Sequence, residues 1–236
     1  MANAQRLEDV ESQLYWCWDW YLLRVWQNCG SFESALPFDR LQIGEEMLSD
    51  AAGRNKEWAS LGSAKLLDHL TLRLDDPDPL VRQEAAIGLG DHCRIDHQAA
   101  DVLVERLQSV DHTLHDRACA AWALGRIRAR PTLTIPVLQS SMEQVSELAD
   151  AGGLRNNCAE AIENMTGELD VLLTVAHRCL QDQHWKCRMR GLYLASRLIK
   201  RQPELRGQFE SLITHLISDE LEEIREIARR LVMEYE

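Results

Sequence analysis

The chain has 236 residues, 45% of them apolar, with only 6 Pro and 12 Gly and with 27% charged. That balance supports a buried core and excludes global disorder, and the scarcity of helix breakers favours helices with solvated faces. The net charge of −12 is the opposite of what neutralising many phosphates requires, so general nucleic-acid binding is disfavoured.

The charge is uneven. Residues 1–168 hold 15 Lys+Arg against 27 Asp+Glu, whereas residues 169–236 hold 11 of each. The acidic field therefore belongs to the first part of the chain. Seven cysteines, an odd number, occur with no C-x-x-C pair. Most fall within expected helices, where a free thiol acts as a small apolar group, and a reducing cytoplasm is the expected setting. The opening MANAQRLEDVE lacks the basic-then-apolar pattern of a secretory signal. The most apolar run, Leu14 to Trp26, is too short to span a bilayer and carries Asp19 and Arg24.

Residues 1–60 read as an atypical, Trp-rich helical segment. Arg6 to Asn28 is expected to be one helix, carrying Tyr15, Trp16, Trp18, Trp20, Tyr21 and Trp26, and Pro37 to Ala52 a second. Covering the end of a repeat stack is the expected use of such aromatics, and a partner surface is the alternative.

From residue 61 a repeat governs the chain. DPDPLVRQEAAIGLG, starting at Asp76, aligns with DHTLHDRACAAWALG, starting at Asp111, at a constant offset of 35. Arg82 falls on Arg117, Ala85-Ala86 on Ala120-Ala121, and Leu89-Gly90 on Leu124-Gly125. Weaker copies carry Asp150 with Arg155, Asp182 with Arg188, and Asp219 with Arg225, so the arginines recur at intervals of 35, 38, 33 and 37. Each unit reads as two helices. The first ends just before the Asp, as in Lys65–Leu74, Ala99–Val110, Pro136–Leu148, Leu169–Leu180 and Phe209–Ile217, with apolar residues three and four apart. The Asp is expected in the turn, capping the second helix or accepting from nearby backbone N–H groups. Second helices are expected to start near Val81, Asp116, Leu154, Cys187 and Ile224. Gly90 and Gly125 are expected to serve chain reversal at helix ends. One pair cannot bury its apolar face alone, so successive pairs must stack.

These residues resemble the HEAT-repeat family, including the lyase-like HEAT repeats of bacteria. The resemblance implies an all-α, right-handed α-solenoid of about five helix pairs behind an N-terminal helical cap, with units near 61–95, 96–130, 131–167, 168–201 and 202–236. It also implies an Asp–Arg ladder between repeats, formed by Asp76, Asp111, Asp182 and Asp219 with Arg82, Arg117, Arg188 and Arg225, and a concave surface lined by the second helices.

No Walker loop, G-x-G-x-x-G or H-E-x-x-H is present, and none of the 8 His is followed by Glu. No catalytic residue, metal ligand or cofactor is assigned. Asp91-His92-Cys93 with Asp96-His97 holds metal-type side chains, but loop polarity accounts for them. A basic run, Lys186, Arg188, Arg190, Arg197, Lys200, Arg201 and Arg206, reads as a solvated helical face. Positions two, five and nine after each repeat arginine share one face of the second helix. They nominate a partner-binding strip of Trp122, Arg126, Asn157, Glu160, Arg190, Tyr193 and Arg197. The expectation is a cytoplasmic scaffold or adaptor holding a protein partner with a basic face, of which an immunity-type inhibitor of a basic toxin is one concrete form. A bilin-lyase-like enzyme or enzyme subunit and a helical-repeat DNA glycosylase are the alternatives.

Overall fold

A computed structural model describes Arg40, Gln42, Glu45 and Glu46, and then residues 63–148 (apart from Arg94) and 151–234. The Trp-rich helix expected over Arg6 to Asn28 and the bulk of the second lie outside the described residues. Contacts divide the chain into two units, Met1–Leu66 and Leu67–Glu236.

Every regular element described from residue 63 onward is helical. The order is α1 (Ser63–Arg73), α2 (Pro79–His92), α3 (His97–Gln108), α4 (Leu114–Ile127), α5 (Pro131–Gln144), α6 (Gly152–Met165), α7 (Leu169–Leu180), α8 (Trp185–Arg201), α9 (Arg206–His215) and α10 (Glu222–Glu234). The helices pair as α3 with α4, α5 with α6, α7 with α8 and α9 with α10. Second helices form one layer, α2 on α4, α4 on α6, α6 on α8 and α8 on α10. First helices form the other, with α3 on α5 and α7 on α9. This is the expected α-solenoid of stacked pairs. The core runs between the layers, through residues such as Leu89, Leu103, Leu124, Leu138, Ile162, Cys179, Leu192, Phe209 and Ala228.

The second helices begin two residues earlier than expected, and α2, α4 and α8 do so because a side chain caps each of them upstream. Asp78 accepts from the Leu80 N–H at 2.9 Å and sets Pro79 at the first helical position. Thr113 accepts from the Asp116 N–H at 3.1 Å, and the His184 ring from the Lys186 N–H at 3.2 Å. The repeat aspartates act just before these caps. Asp76, Asp182 and Asp219 each accept from the N–H two residues on, closing a turn. Helix α5 starts at Pro131, five residues before the expected Pro136. Pro131 itself provides the helix start, and Pro136 lies inside the helix, where it removes one bond of the i→i−4 ladder.

The arginine ladder exists as three described cross-repeat pairs, with Asp116 in place of Asp111 and Arg155 in place of Arg117, while the expected Asp76 pairs with Arg73 of its own helix pair. Each repeat arginine donates to carbonyls in or beside the turn of its own pair, such as Asp76 and Pro77 for Arg82, Val145 and Leu148 for Arg155, and Asp182 and Gln183 for Arg188. Arg82, Arg155 and Arg188 then reach a carboxylate of the next pair. Arg155 meets Asp182 at 2.7 and 2.8 Å, and Arg188 meets Asp219 at 2.6 and 3.0 Å. In the second repeat Asp116, not the expected Asp111, receives Arg82 at 2.9 and 3.3 Å. Asp111 is exposed, whereas Thr113 holds Asp116 beside Arg82. Arg117 joins no described carboxylate and bonds the Leu107 carbonyl at 2.8 Å and Gln144 at 3.5 Å. Arg225 binds its own turn carbonyls and Glu222.

Gly90 and Gly125 do not reverse the chain. A Cβ on Gly90 would lie 3.1 Å from the Ala123 Cα, and one on Gly125 only 2.6 Å from the Ala161 Cα. Both let second helices of neighbouring repeats touch backbone to backbone.

Candidate functional site

The strip nominated from the sequence lies on the layer of second helices, and its members fall into two bonded groups. The first joins α2 and α4. Arg126 donates to Asp91 at 2.9 and 3.2 Å, and its guanidinium lies 5.6 Å from the centroid of the Trp122 ring. Trp122 is half-buried, because its ring rests against Gly90 of the preceding repeat. It is therefore partly a packing residue, not the freely exposed ring that the register alone suggests.

The second group joins α4, α6 and α8. Asn157 donates to the Ala118 carbonyl at 2.9 Å and accepts from Asn156 at 3.3 Å. Arg190 bonds Asn156 at 3.2 Å, Glu163 at 3.3 Å and Glu160 at 2.5 Å. Arg197 pairs with the same Glu163. Tyr193 sits on α8 between Arg190 and Arg197, one turn from each, and is 57% exposed. All seven nominated residues are thus placed on this layer, six of them in bonds or ring contacts that cross or support the repeat seams.

Register reasoning missed Asn156 and Glu163. The missed signal was legible. Glu163 stands eight residues after its repeat arginine, where the first two repeats carry Gly90 and Gly125. A carboxylate in place of a close-approach glycine announces a different seam.

The strip is electrically balanced. Asp91, Glu160 and Glu163 face Arg126, Arg190 and Arg197, three carboxylates against three guanidiniums. These pairs are part-exposed, so each contributes little to stability, but together they hold long side chains in one arrangement. The basic run is dispersed in the same way. Arg188 is spent on Asp219 and Glu220, Lys186 lies over the Trp185 ring at 5.6 Å, and Lys200 and Arg201 are exposed at the end of α8.

The metal-type side chains around residue 93 have other employment. Asp96 caps α3, His97 accepts from Arg130 at 2.8 Å, and Cys93 is buried, with burial and then Asp96 pushing its thiol up. Among the described residues no three His, Cys, Asp or Glu side chains converge as a ligand set.

Residues 64–151, the first two pairs and the start of the third, match the family model described as HEAT repeats. This segment is made of HEAT repeats. No curated protein and no solved structure matches it. Beyond residue 151 the HEAT-type pairing continues through α10 with the same layer order and the same arginine contacts. No described helix is long and apolar enough to cross a membrane.

Proposed function

We propose that this HEAT-repeat protein is a scaffold that binds a protein partner along the second-helix strip, with Tyr193 as its principal exposed anchor and Trp122, Arg126, Asn157, Glu160, Arg190 and Arg197 as the frame around it. HEAT repeats generally serve as protein-interaction scaffolds. The observation that carries the reading is Tyr193 itself, an aromatic ring 57% exposed between two arginines that α6 holds in place through Glu160 and Glu163. Such a ring supplies contact area at small entropic cost, and a pre-ordered polar frame selects what may sit on it.

The strip is neutral, so the net charge of −12 acts at longer range. It draws a partner with a basic face toward the molecule, while the contact itself is decided by aromatic area and hydrogen bonding. An immunity-type role toward a basic toxin is one form of this proposal.

The test compares the parent with Tyr193→Ala in capture from the native host, followed by titration with the recovered partner and a thermal melt. Tyr193→Ala is expected to weaken binding by about 1–3 kcal/mol and to leave the melt nearly unchanged, since exposed side chains contribute little to stability. Unchanged affinity places the docking surface elsewhere. Trp122→Ala is expected to lower both affinity and stability, because its ring also fills space against Gly90. A tetrapyrrole or a nucleic acid in the eluate instead of a protein supports the lyase or glycosylase alternative.

A further inference from the structure

The turns that join the two helices of each pair line one edge of the stack, and that edge carries a row of exposed apolar side chains. Val110 and Leu148, on the turns of the second and third pairs, both stand seven residues before a repeat arginine. Val110 is 83% exposed and Leu148 45%. Trp185, in the first turn of α8 just after the turn of the fourth pair, is 40% exposed. Asp75, Gln181 and Ser218 hold the position of Val110 and Leu148 in the other repeats. The turn itself therefore needs no apolar residue there.

The ladder fixes these turns. Arg155 donates to the Leu148 carbonyl at 2.6 Å and to Asp182 at 2.7 and 2.8 Å, and Asp182 accepts from the His184 N–H at 2.8 Å, next to Trp185. Gln183 donates to the Ser146 carbonyl at 3.4 Å across the same two turns. The Trp185 ring stacks on His184 with centroids 6.0 Å apart. A row held in place beforehand costs less to order on binding. Exposed carboxylates accompany it. Asp111 beside Val110 and Glu147 beside Leu148 join no ion pair among the described residues. Glu220, on the turn of the fifth pair, is 73% exposed and shares Arg188 with Asp219. The cation next to the row is Lys186, which lies over the Trp185 ring.

We propose that this turn edge is a second docking surface, separate from the strip, and that its occupant is an extended peptide segment with apolar side chains three residues apart and basic side chains between them. Stacked helices lie about 8–10 Å apart, and three residues of extended chain span roughly 10 Å, so one strand can place an apolar group on each successive turn. The contact removes Val110, Leu148 and Trp185 from water, and the basic groups fall beside Asp111 and Glu147. An acidic strand would meet those carboxylates with like charge. The inference rests on no contact of the strip, so it stands or falls apart from the role of Tyr193.

The probe is a fluorescently labelled nonapeptide of repeated Leu-Lys-Lys, titrated with the full chain and read by anisotropy, beside a Ser-Lys-Lys peptide of equal charge. The Leu peptide is expected to bind at least about five times more tightly than the Ser peptide, which separates apolar contact from attraction by net charge. Val110→Ser combined with Leu148→Ser is expected to remove most of that difference, and Trp185→Ser to weaken the Leu peptide at least about threefold. Asp111→Asn combined with Glu147→Gln is expected to weaken both peptides. Val110 and Leu148 are exposed, so their double variant is expected to keep its fold and decides the matter even where Trp185→Ser, which loses the His184 stack, does not. Equal affinity for the two peptides, no measurable binding of the Leu peptide, or parent-like binding by the Val110→Ser, Leu148→Ser chain overturns the proposal. So does a loss produced by Tyr193→Ala with the turn variants unaffected, which puts the peptide on the strip.

Discussion

The seams between the second helices are built in two ways. Between α2, α4 and α6 the contact is backbone on backbone, through Gly90 against Ala123 and Gly125 against Ala161. Between α6 and α8 it is made by long polar side chains, with Glu163 of α6 gripping Arg190 and Arg197 of α8. The repeat position is the same, eight residues beyond the repeat arginine, and only the residue differs. Small-residue seams fix the spacing of helices through close packing, which tolerates no added atoms. Side-chain seams leave room on the surface and fill it with groups that can also face a partner. The proposed strip accordingly carries most of its polar frame on the second kind of seam, and the family model matches the part of the chain dominated by the first.

The ladder sharpens this contrast most strongly. Arg155 is buried, with 1% of its surface exposed, and holds Asp182 with two hydrogen bonds and two turn carbonyls with the others. Arg155→Ala is expected to cost about 3–5 kcal/mol, because it strands a partly buried carboxylate and leaves carbonyls unpaired. Arg117→Ala, which removes no described ion pair, is expected to cost less. Urea melts of the two variants give the order directly, and equal losses would show that the Asp182 contact adds nothing beyond the carbonyl bonds.

Gly125→Ala tests the close seam. Its new methyl would meet the Ala161 backbone at 2.6 Å, so a loss of about 3 kcal/mol is expected from overpacking. Gly153→Ala is the control. Nothing lies within 4 Å of its Cβ, and a gain of up to about 1 kcal/mol is expected from the stiffer unfolded chain. A Gly125→Ala protein that melts with the parent would mean the helices can move apart freely, and the backbone-contact account would fail.

The polar seam is softer. Glu163→Ala is expected to cost about 1 kcal/mol, since its ion pairs are part-exposed, and that loss should shrink as salt is raised. A salt-independent loss would assign Glu163 a packing role instead.

The smallest expected effect is a pH dependence at the third-to-fourth seam. His184 caps α8 by accepting from Lys186 N–H, and its ring fills the space left by the missing side chain of Gly152. Burial first, and Lys186 next, hold its imidazole below its ordinary value of 6.5. The folded state therefore binds this proton less readily than the unfolded state. Stability is unaffected above that value and declines as the pH falls through and below it. His184→Asn, which can still cap but does not titrate, is expected to flatten this part of the profile in melts between pH 7 and 5.

How much of this was legible differs from element to element. Leu169–Leu180 was readable to the residue, because its apolar spacing is regular and nothing upstream extends it. The starts of α2, α4 and α8 were misplaced by two residues, because periodicity marks where apolar contacts begin and caps act one or two residues earlier. Asp116 was overlooked in favour of Asp111 because the alignment equates positions, whereas an ion pair needs only a carboxylate within reach of Arg82. The face shared by Trp122, Arg126, Arg190, Tyr193 and Arg197 followed from helical geometry alone. Their partners did not.

The sequence by itself determined the all-helical class, the repeat length, and which residues lie on each helix face, because these depend on separations of a few residues along one chain. The tertiary structure alone decided that Gly90 and Gly125 are contact points, that Glu163 serves two arginines, and that Trp122 is partly packing. Each of those depends on the distance between residues about 30 to 40 positions apart, set by how one helix pair settles on the next.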